Sequence, residues 1–335
     1  MTDHRLTVSP TRVPEQQIYD GEVFPLVLGC ESPSATLDDV VRWAEENRDQ
    51  LEQQCQKHGA ILFRGFPLHE PEDFDRFIAA FDLENFPYEV SLSNAVRTNF
   101  TPRVFSANEA PSSVTIFLHH EMAQTPIFPS KLFFCCWQPA EEGGATPLCR
   151  SDILFQQIEE RFPQFAHDCE TKGLKYSNTM PAANDASSGM GRSWQSTFRV
   201  ETREEAQQRM TDYGYTWEWQ EDGSLRATTP VLPAVREVSP GRKVFFNQLI
   251  AAFCGWKDSR NDASKSITFG DGQPLDRETV MEIADMAEQL TFDLPWQAGD
   301  IALVDNFLVM HGRRTFSGPR KILASLLVMG QHAHA

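Results

Sequence analysis

Residues 305–326 read DNFLVMHGRRTFSGPRKILASL. The apolar run from Phe307 to Met310 leads into His311, and the Ser317-Gly318-Pro319 turn is followed by Arg320, Lys321 and a run of alternating apolar residues. With Ile301–Asp305 just upstream, the end of the chain predicts three strands, at 301–305, 309–310 and 321–329. Further out, Ala60 to Phe66 (AILFRGF), Lys131 to Trp137 and Thr146 to Cys149 also read as strands, the last two joined by the turn Glu141-Glu142-Gly143-Gly144. Helical periodicity appears between them. Leu37 to Gln56 follows the N-cap candidate Thr36; Pro71 opens a helix to Phe81; Ser151 is expected to cap one to Phe162, and Pro163 a continuation to Gly173. Thr202 with Glu205 forms a capping box for a helix to Tyr213, and a late helix covers Arg277 to Leu290. Strands at both ends with helices inserted do not fit a doubly wound parallel sheet. They predict a mainly β core with helical decorations.

Composition narrows the function. The 335 residues carry 30 basic against 47 acidic side chains, a net charge of −17, which repels polyphosphate and excludes nucleic acid as an expected partner. No apolar run reaches membrane-spanning length, so no membrane partner is expected. Met1 to Gln17 is polar, carries Pro10 and Pro14 and has no hydrophobic signal region, which points to a cytoplasmic protein. The seven cysteines (30, 55, 135, 136, 149, 169 and 254) show no C-x-x-C spacing and read as reduced core thiols.

Three chemical features remain. His119 and Glu121 form His-x-Glu; on an extended strand both face one way and converge on one point, while His120 points to the opposite face as a packing residue. His311 stands at a strand end far downstream. Arg320 is either a solvated edge charge or a planar fork for a carboxylate, with Lys321 competing for that role because strand neighbours face opposite ways. Taken together, two imidazoles and one carboxylate on one face of an octahedral ion leave three positions open, an arrangement that suits non-haem Fe(II) binding a chelating 2-oxo acid and O₂. Arg320 would meet the far carboxylate of that acid, and the Thr146 hydroxyl would complete its hydrogen bonds. A zinc hydrolase using the same triad, which leaves Arg320 and Thr146 without a task, and a catalytically silent binding protein on the same β core are the alternatives.

The stretches GAILFRGF (59–66), FSANE (105–109), FLHHEMAQ (117–124), FPSKLFF (128–134), EEGGATP (141–147), TFGDGQPL (268–275) and 305–326 lie in order over nearly the whole chain. In them the chain resembles the Fe(II)- and 2-oxoglutarate-dependent dioxygenases of the taurine dioxygenase and clavaminate synthase group, above all the clavaminate synthase-like proteins. The resemblance implies a double-stranded β-helix (a cupin-like jelly roll) forming a single domain over 1–335. N-terminal helices and a strand would fill 18–100, metal-binding strands 101–150 and 240–335, and a largely helical insert and lid 151–239. It implies His119, Glu121 and His311 as catalytic iron ligands, with Arg320 and Thr146 on the 2-oxoglutarate carboxylate. Where many relatives carry Asp, the clavaminate synthase branch carries Glu, as Glu121 here, and a carboxylate at this position argues against halogenation. The implied reaction is hydroxylation of a small molecule, amino acids or their derivatives foremost, with release of succinate and CO₂. Asn108 and Glu109 are expected to bind a polar group of the substrate. Arg192, Trp194 and Gln195, after the Ser- and Gly-rich loop 184–191, are expected in a lid, and Asn247 either faces the cavity or caps a turn. His332 and His334 read as a frayed tail.

Overall fold

A computed structural model describes residues 6–88, 91–92, 97–107, 109–185, 191–255, 257–258 and 260–328. Asn108, most of the loop 184–191, Met329 and the tail histidines lie outside the described residues. Two sheets face each other. The larger runs Val8–Thr11, Leu26–Cys30, Ala60–Arg64, Ile301–Asp305, Lys131–Gln138, Lys321–Val328 and Glu84–Asn85, with Phe105–Ser106 also pairing Lys321–Val328. The smaller runs Thr291–Leu294, Thr146–Arg150, Val309–Arg313 and Ile116–His119. Every pairing in them is antiparallel except Leu26–Cys30 on Ala60–Arg64. Sequence neighbours such as 301–305 and 309–313 sit in opposite sheets. This is a jelly roll, a mainly β fold with helices around it.

The strand alternation decides what lies between the sheets. Leu132, Phe134 and Cys136 of the Lys131–Gln138 strand pack inward with Ile322, Ala324 and the small-sheet residues Leu148 and Val309. Phe133 and Cys135 point outward onto the Leu37–His58 and Pro71–Ala79 helices, where Phe133 meets the Phe77 ring edge-on at 6.3 Å. The small sheet does the same: Leu118, Cys149 and Met310 turn outward onto the helices Ser151–Arg161, Leu249–Gly255 and Arg277–Gln289. Both faces of each sheet are covered, which explains the continuous apolar runs in the sequence.

The helix starts follow local chemistry. Thr36 and Asp39 form a reciprocal capping box before Leu37, as do Thr202 and Glu205 before the Arg203–Asp212 helix. Ser151 does not act as expected: Arg150 is the N-cap, and Ser151 is the first helical residue, its hydroxyl donating to Phe307 O at 3.4 Å. The 151–239 stretch, expected to be largely helical, also carries the strands Leu174–Met180, Thr216–Trp219 and Leu225–Thr228, which with Ile267–Phe269 make a third sheet. Thr216–Trp219 is nearly all exposed, so it lacks the apolar alternation that marks a strand. The strand expected at 309–310 continues through His311 to Arg313. A Cβ on Gly312 would sit 2.4 Å from Ile116 O, so this glycine allows the close approach of the two strands.

Candidate metal centre

His119 and His311 are directly opposed across the 116–119 and 309–313 strands. Opposed residues of an antiparallel pair share a face. Leu118 packs outward, so His119 points between the sheets, as does His311 beside the inward Val309. Their rings lie 4.4 Å apart, and Phe134 of the large sheet covers His311 at 5.2 Å. Just past the strand Glu121 opens a turn in which Met122 takes a φ of 58°, and the Glu121 carboxylate lies beside the pair. One donor atom each from His119, Glu121 and His311 then lies within 4.8 Å of the others.

The donors are also oriented. His119 Nδ1 lies 2.8 Å from the Phe117 carbonyl, which leaves Nε2 as the donor. Glu121 Oε2 faces His311 Nε2 at 3.5 Å, while Oε1 faces the guanidinium of Arg97 at 3.5 Å. Burial would raise the Glu121 carboxyl, but the His311 contact and the charge of Arg97 outweigh it and hold it down to about 2. Burial, then the neighbouring His311, pushes His119 down to about 4. Near neutral pH the site therefore offers a carboxylate and an unprotonated His119 imidazole, the forms that bind metal. Two imidazoles and one carboxylate, oriented and deprotonated, fit a divalent transition metal with open coordination positions.

Neighbouring polar groups hold this arrangement. Asn306 is fully buried; its Oδ1 accepts from Glu121 N at 2.8 Å, and its Nδ2 donates to Glu121 O at 3.0 Å and Pro129 O at 2.7 Å. His120 is buried with Nδ1 2.5 Å from Asn306 O and its ring 4.8 Å from Phe246, the packing role expected of it. Arg97 stacks over Tyr88 at 4.7 Å and Phe105 at 5.3 Å. Neither Arg97 nor Asn306 stood out in the sequence, because a single polar residue in a loop carries no periodic signature.

Arg320 and Lys321 part company. Lys321 is exposed, its ammonium 5.1 Å from the Trp137 ring. Arg320 lies half-buried and donates from Nε to Gly144 O at 2.8 Å. Among the described residues no carboxylate pairs with it and no acceptor meets its terminal nitrogens. Burial, then the charge of Arg313, pushes it down to about 10, so it remains a cation at neutral pH that lacks a counter-charge. Gly144 fits tightly beneath it: φ is 70°, and a Cβ there would lie 3.0 Å from Arg320 Cδ. Thr146, on the same turn, accepts from Trp296 Nε1 at 2.9 Å, which leaves its hydroxyl proton to donate. Thr146 also shares the inward face with Leu148, the residue opposite His311.

The other expected site residues fare differently. Glu109 is exposed, and its charge acts on Arg97 and Arg313. Arg192 bonds to Ser196 through Nε at 3.0 Å and NH2 at 2.6 Å, bracing the Trp194–Phe198 helix, in which Trp194 is buried against Trp219. Asn247 is buried with both ends of its amide on backbone, Nδ2 to Ala234 O at 3.2 Å and Oδ1 from Leu249 N at 3.0 Å. Its amide is thus spent on backbone just before the Leu249–Gly255 helix, the turn-capping one of the two roles the sequence left open.

A model of the family described as taurine catabolism dioxygenase TauD, TfdA family matches residues 22–326. A clavaminate synthase-like protein of Arabidopsis thaliana is 38% identical over 327 residues, covering 96% of this chain and 98% of its own. PvcB, an Fe, alpha-ketoglutarate dependent oxygenase from an isonitrile synthetic pathway, shares the fold with a TM-score of 0.53 at 14% identity, over 99% of this chain and 94% of its own. A taurine dioxygenase from Burkholderia xenovorans does so with a TM-score of 0.53 at 15% identity, over 97% and 89%. A family match over most of the length, carried by a chain whose jelly roll gathers two histidines and a glutamate between its sheets, places this protein in the TauD/TfdA family of dioxygenases.

Proposed function

We propose that the protein is an Fe(II)- and 2-oxoglutarate-dependent oxygenase that hydroxylates a small molecule, an amino acid or amino-acid derivative, with release of succinate and CO₂. The observation that carries this is the pairing of the His119, Glu121 and His311 cluster with an uncompensated arginine on the same interior. When bound, iron(II) with 2-oxoglutarate and O₂ supplies an oxidant strong enough for unactivated C–H bonds. His119, Glu121 and His311 would hold the metal through one donor each and leave it open to a chelating cosubstrate. Arg320 receives the far carboxylate of 2-oxoglutarate in a charge-assisted contact, and the Thr146 hydroxyl donates to the same group. Arg97 occupies the Glu121 oxygen turned away from His311, which favours one-oxygen binding by that carboxylate. Phe134 and the apolar residues between the sheets keep bulk water away from the centre. The amino-acid class rests on the likeness to a clavaminate synthase-like relative, and the exposed Glu109 is the polar group offered to such a substrate.

A zinc hydrolase would leave Arg320 idle, and a silent binding protein would have no use for three converging donors. A cytoplasmic location is part of the same reading, supported by seven unpaired cysteines, five of them buried. No helix among the described residues is long and apolar enough to cross a membrane. The test is anaerobic addition of 2-oxoglutarate to the Fe(II) protein. A visible metal-to-ligand charge-transfer band is expected, absent in His311→Ala. If wild type gives no band, the oxygenase reading fails.

A further inference from the structure

A charged residue, Lys131, opens the otherwise apolar Lys131–Gln138 strand from a buried position. It stands directly opposite Asp305 in the ladder with Ile301–Asp305, so the two side chains share a face. The ammonium meets Asp305 Oδ2 at 2.6 Å, and the side chains are only 3% and 6% exposed. Burial opposes the charge of this ammonium, but Asp305, with Cys55 and Glu52 behind it, outweighs that and pushes its pKa up. A buried ion pair adds little net stability over apolar residues of similar volume, because desolvation consumes most of the attraction. Its effect lies in what it fixes.

Asp305 fixes a turn. Its Oδ1 accepts from Phe307 N at 2.9 Å and Leu308 N at 3.3 Å, and its carbonyl accepts from Leu308 N at 3.2 Å. Asn306 lies inside that turn. Its backbone N donates at 3.0 Å to the carbonyl of Ser130, the residue before Lys131. Two consecutive residues at one strand end therefore grip Asp305 by its side chain and Asn306 by its backbone. The Asn306 amide in turn holds both backbone groups of Glu121, and the Asn306 carbonyl lies 2.5 Å from His120 Nδ1. Hydrogen bonds and a single peptide link thus connect the Lys131 ammonium to the residue that bears the metal-binding carboxylate.

We propose that Lys131 and Asp305 are positioning residues for the metal centre: their ion pair fixes the 305–308 turn, so that the Asn306 amide holds Glu121 where its carboxylate meets His119 and His311. This deepens the oxygenase reading and rests on it for the metal; the hold on Glu121 is measurable without one.

The test uses the full chain, first metal-free and then titrated with Co(II) against a chromophoric chelator. Lys131→Met/Asp305→Asn leaves no buried charge unpaired, so it is expected to melt within about 3 °C of wild type. Its Co(II) affinity is nevertheless expected to fall about tenfold. Hydrogen exchange of the Glu121 backbone N–H, read without metal, is expected to quicken about tenfold. Asp305→Asn, followed by the same two measurements, keeps the test open should the double variant fail to fold. Asp300→Asn is the control. It breaks the Arg64–Asp300 pair at the other end of the same strand, five residues or about 17 Å from Asp305. It is expected to lower the melting temperature while Co(II) affinity stays within about twofold. A double variant with unchanged Co(II) affinity, or with unchanged exchange at Glu121, overturns the proposal and leaves a pair that only stabilises. An equal loss of Co(II) affinity in Asp300→Asn overturns it as well, since any buried ion pair would then act alike. If wild type binds no Co(II), the oxygenase reading falls, and exchange at Glu121 alone decides this proposal: faster exchange sustains it and unchanged exchange overturns it.

Discussion

Asn306→Ala removes the side chain that fastens the metal-ligand turn to the strand junction. Three hydrogen bonds go with it, involving Glu121 N–H, Glu121 C=O and Pro129 C=O. All three face a site with no solvent exposure at Asn306. At roughly 1–3 kcal/mol per buried polar group left unpaired, the loss is about 3–9 kcal/mol, the lower end applying if a water enters the gap. The backbone bond from Asn306 N to Ser130 O at 3.0 Å survives, so the strand junction itself stays formed. Unfolding entropy near 2.1 cal/mol/K per residue over 335 residues translates this into a melting shift of roughly 4–13 °C. Because the bonds hold Glu121 itself, Fe(II) affinity is expected to fall about 10–100-fold. Thermal unfolding of the metal-free protein and competition with a chelator of known affinity measure the two effects. Asn47→Ala is the control; its Nδ2 reaches Trp43 O at 2.8 Å on a helix surface, and its removal should cost no more than about 0.5 kcal/mol. An Asn306→Ala protein within about 1 kcal/mol of wild type, with iron affinity intact, would refute the idea that this side chain positions the ligand.

Gly144→Ala should cost about 1–2 kcal/mol for a left-handed alanine and, by crowding Arg320, weaken 2-oxoglutarate about tenfold in an anaerobic titration; unchanged affinity would show that the glycine does not set the arginine. Arg320→Gln should raise the 2-oxoglutarate dissociation constant by about 10–100-fold while Lys321→Gln leaves it within about twofold, and the reverse order would reassign the carboxylate partner. Asp152 supplies the pH prediction. Burial would raise its carboxyl, but the bidentate contact with Arg150 at 2.7 Å and the approach of Arg242 at 2.8 Å outweigh it and hold it below the usual carboxylate value. A depressed folded-state value means that the stability is present above the unfolded value, near 4, and is lost as pH falls through the folded one. Acid unfolding of wild type should therefore steepen below about pH 4, and Asp152→Asn should flatten that part of the curve; identical slopes would remove Asp152 from the account.

The long helices and the central strands were legible because each carries its own periodicity or cap; the short edge strands and short helices were not. The Leu37–His58 helix starts at the expected threonine, and the Lys131–Gln138 strand ends one residue past the expected tryptophan. The site was legible only as separate signals. His-x-Glu is visible locally, but that His119 stands opposite His311 is a matter of strand register, set by which residues pack outward on either side. Arg97 reaches Glu121 from a loop, and Asn306 recognises backbone groups, which no side-chain pattern announces. Thr216–Trp219 has no buried face to give it a period.

The sequence by itself determined the composition of the core, the places of the longer helices and the kinds of donor available for a metal, since propensity, capping and alternation act between near neighbours. Only the tertiary structure decided which donors meet, which of Arg320 and Lys321 faces inward, and that Asn247 spends its amide on backbone. Those outcomes depend on how two sheets stack and twist, a property of contacts between segments that lie far apart along the chain.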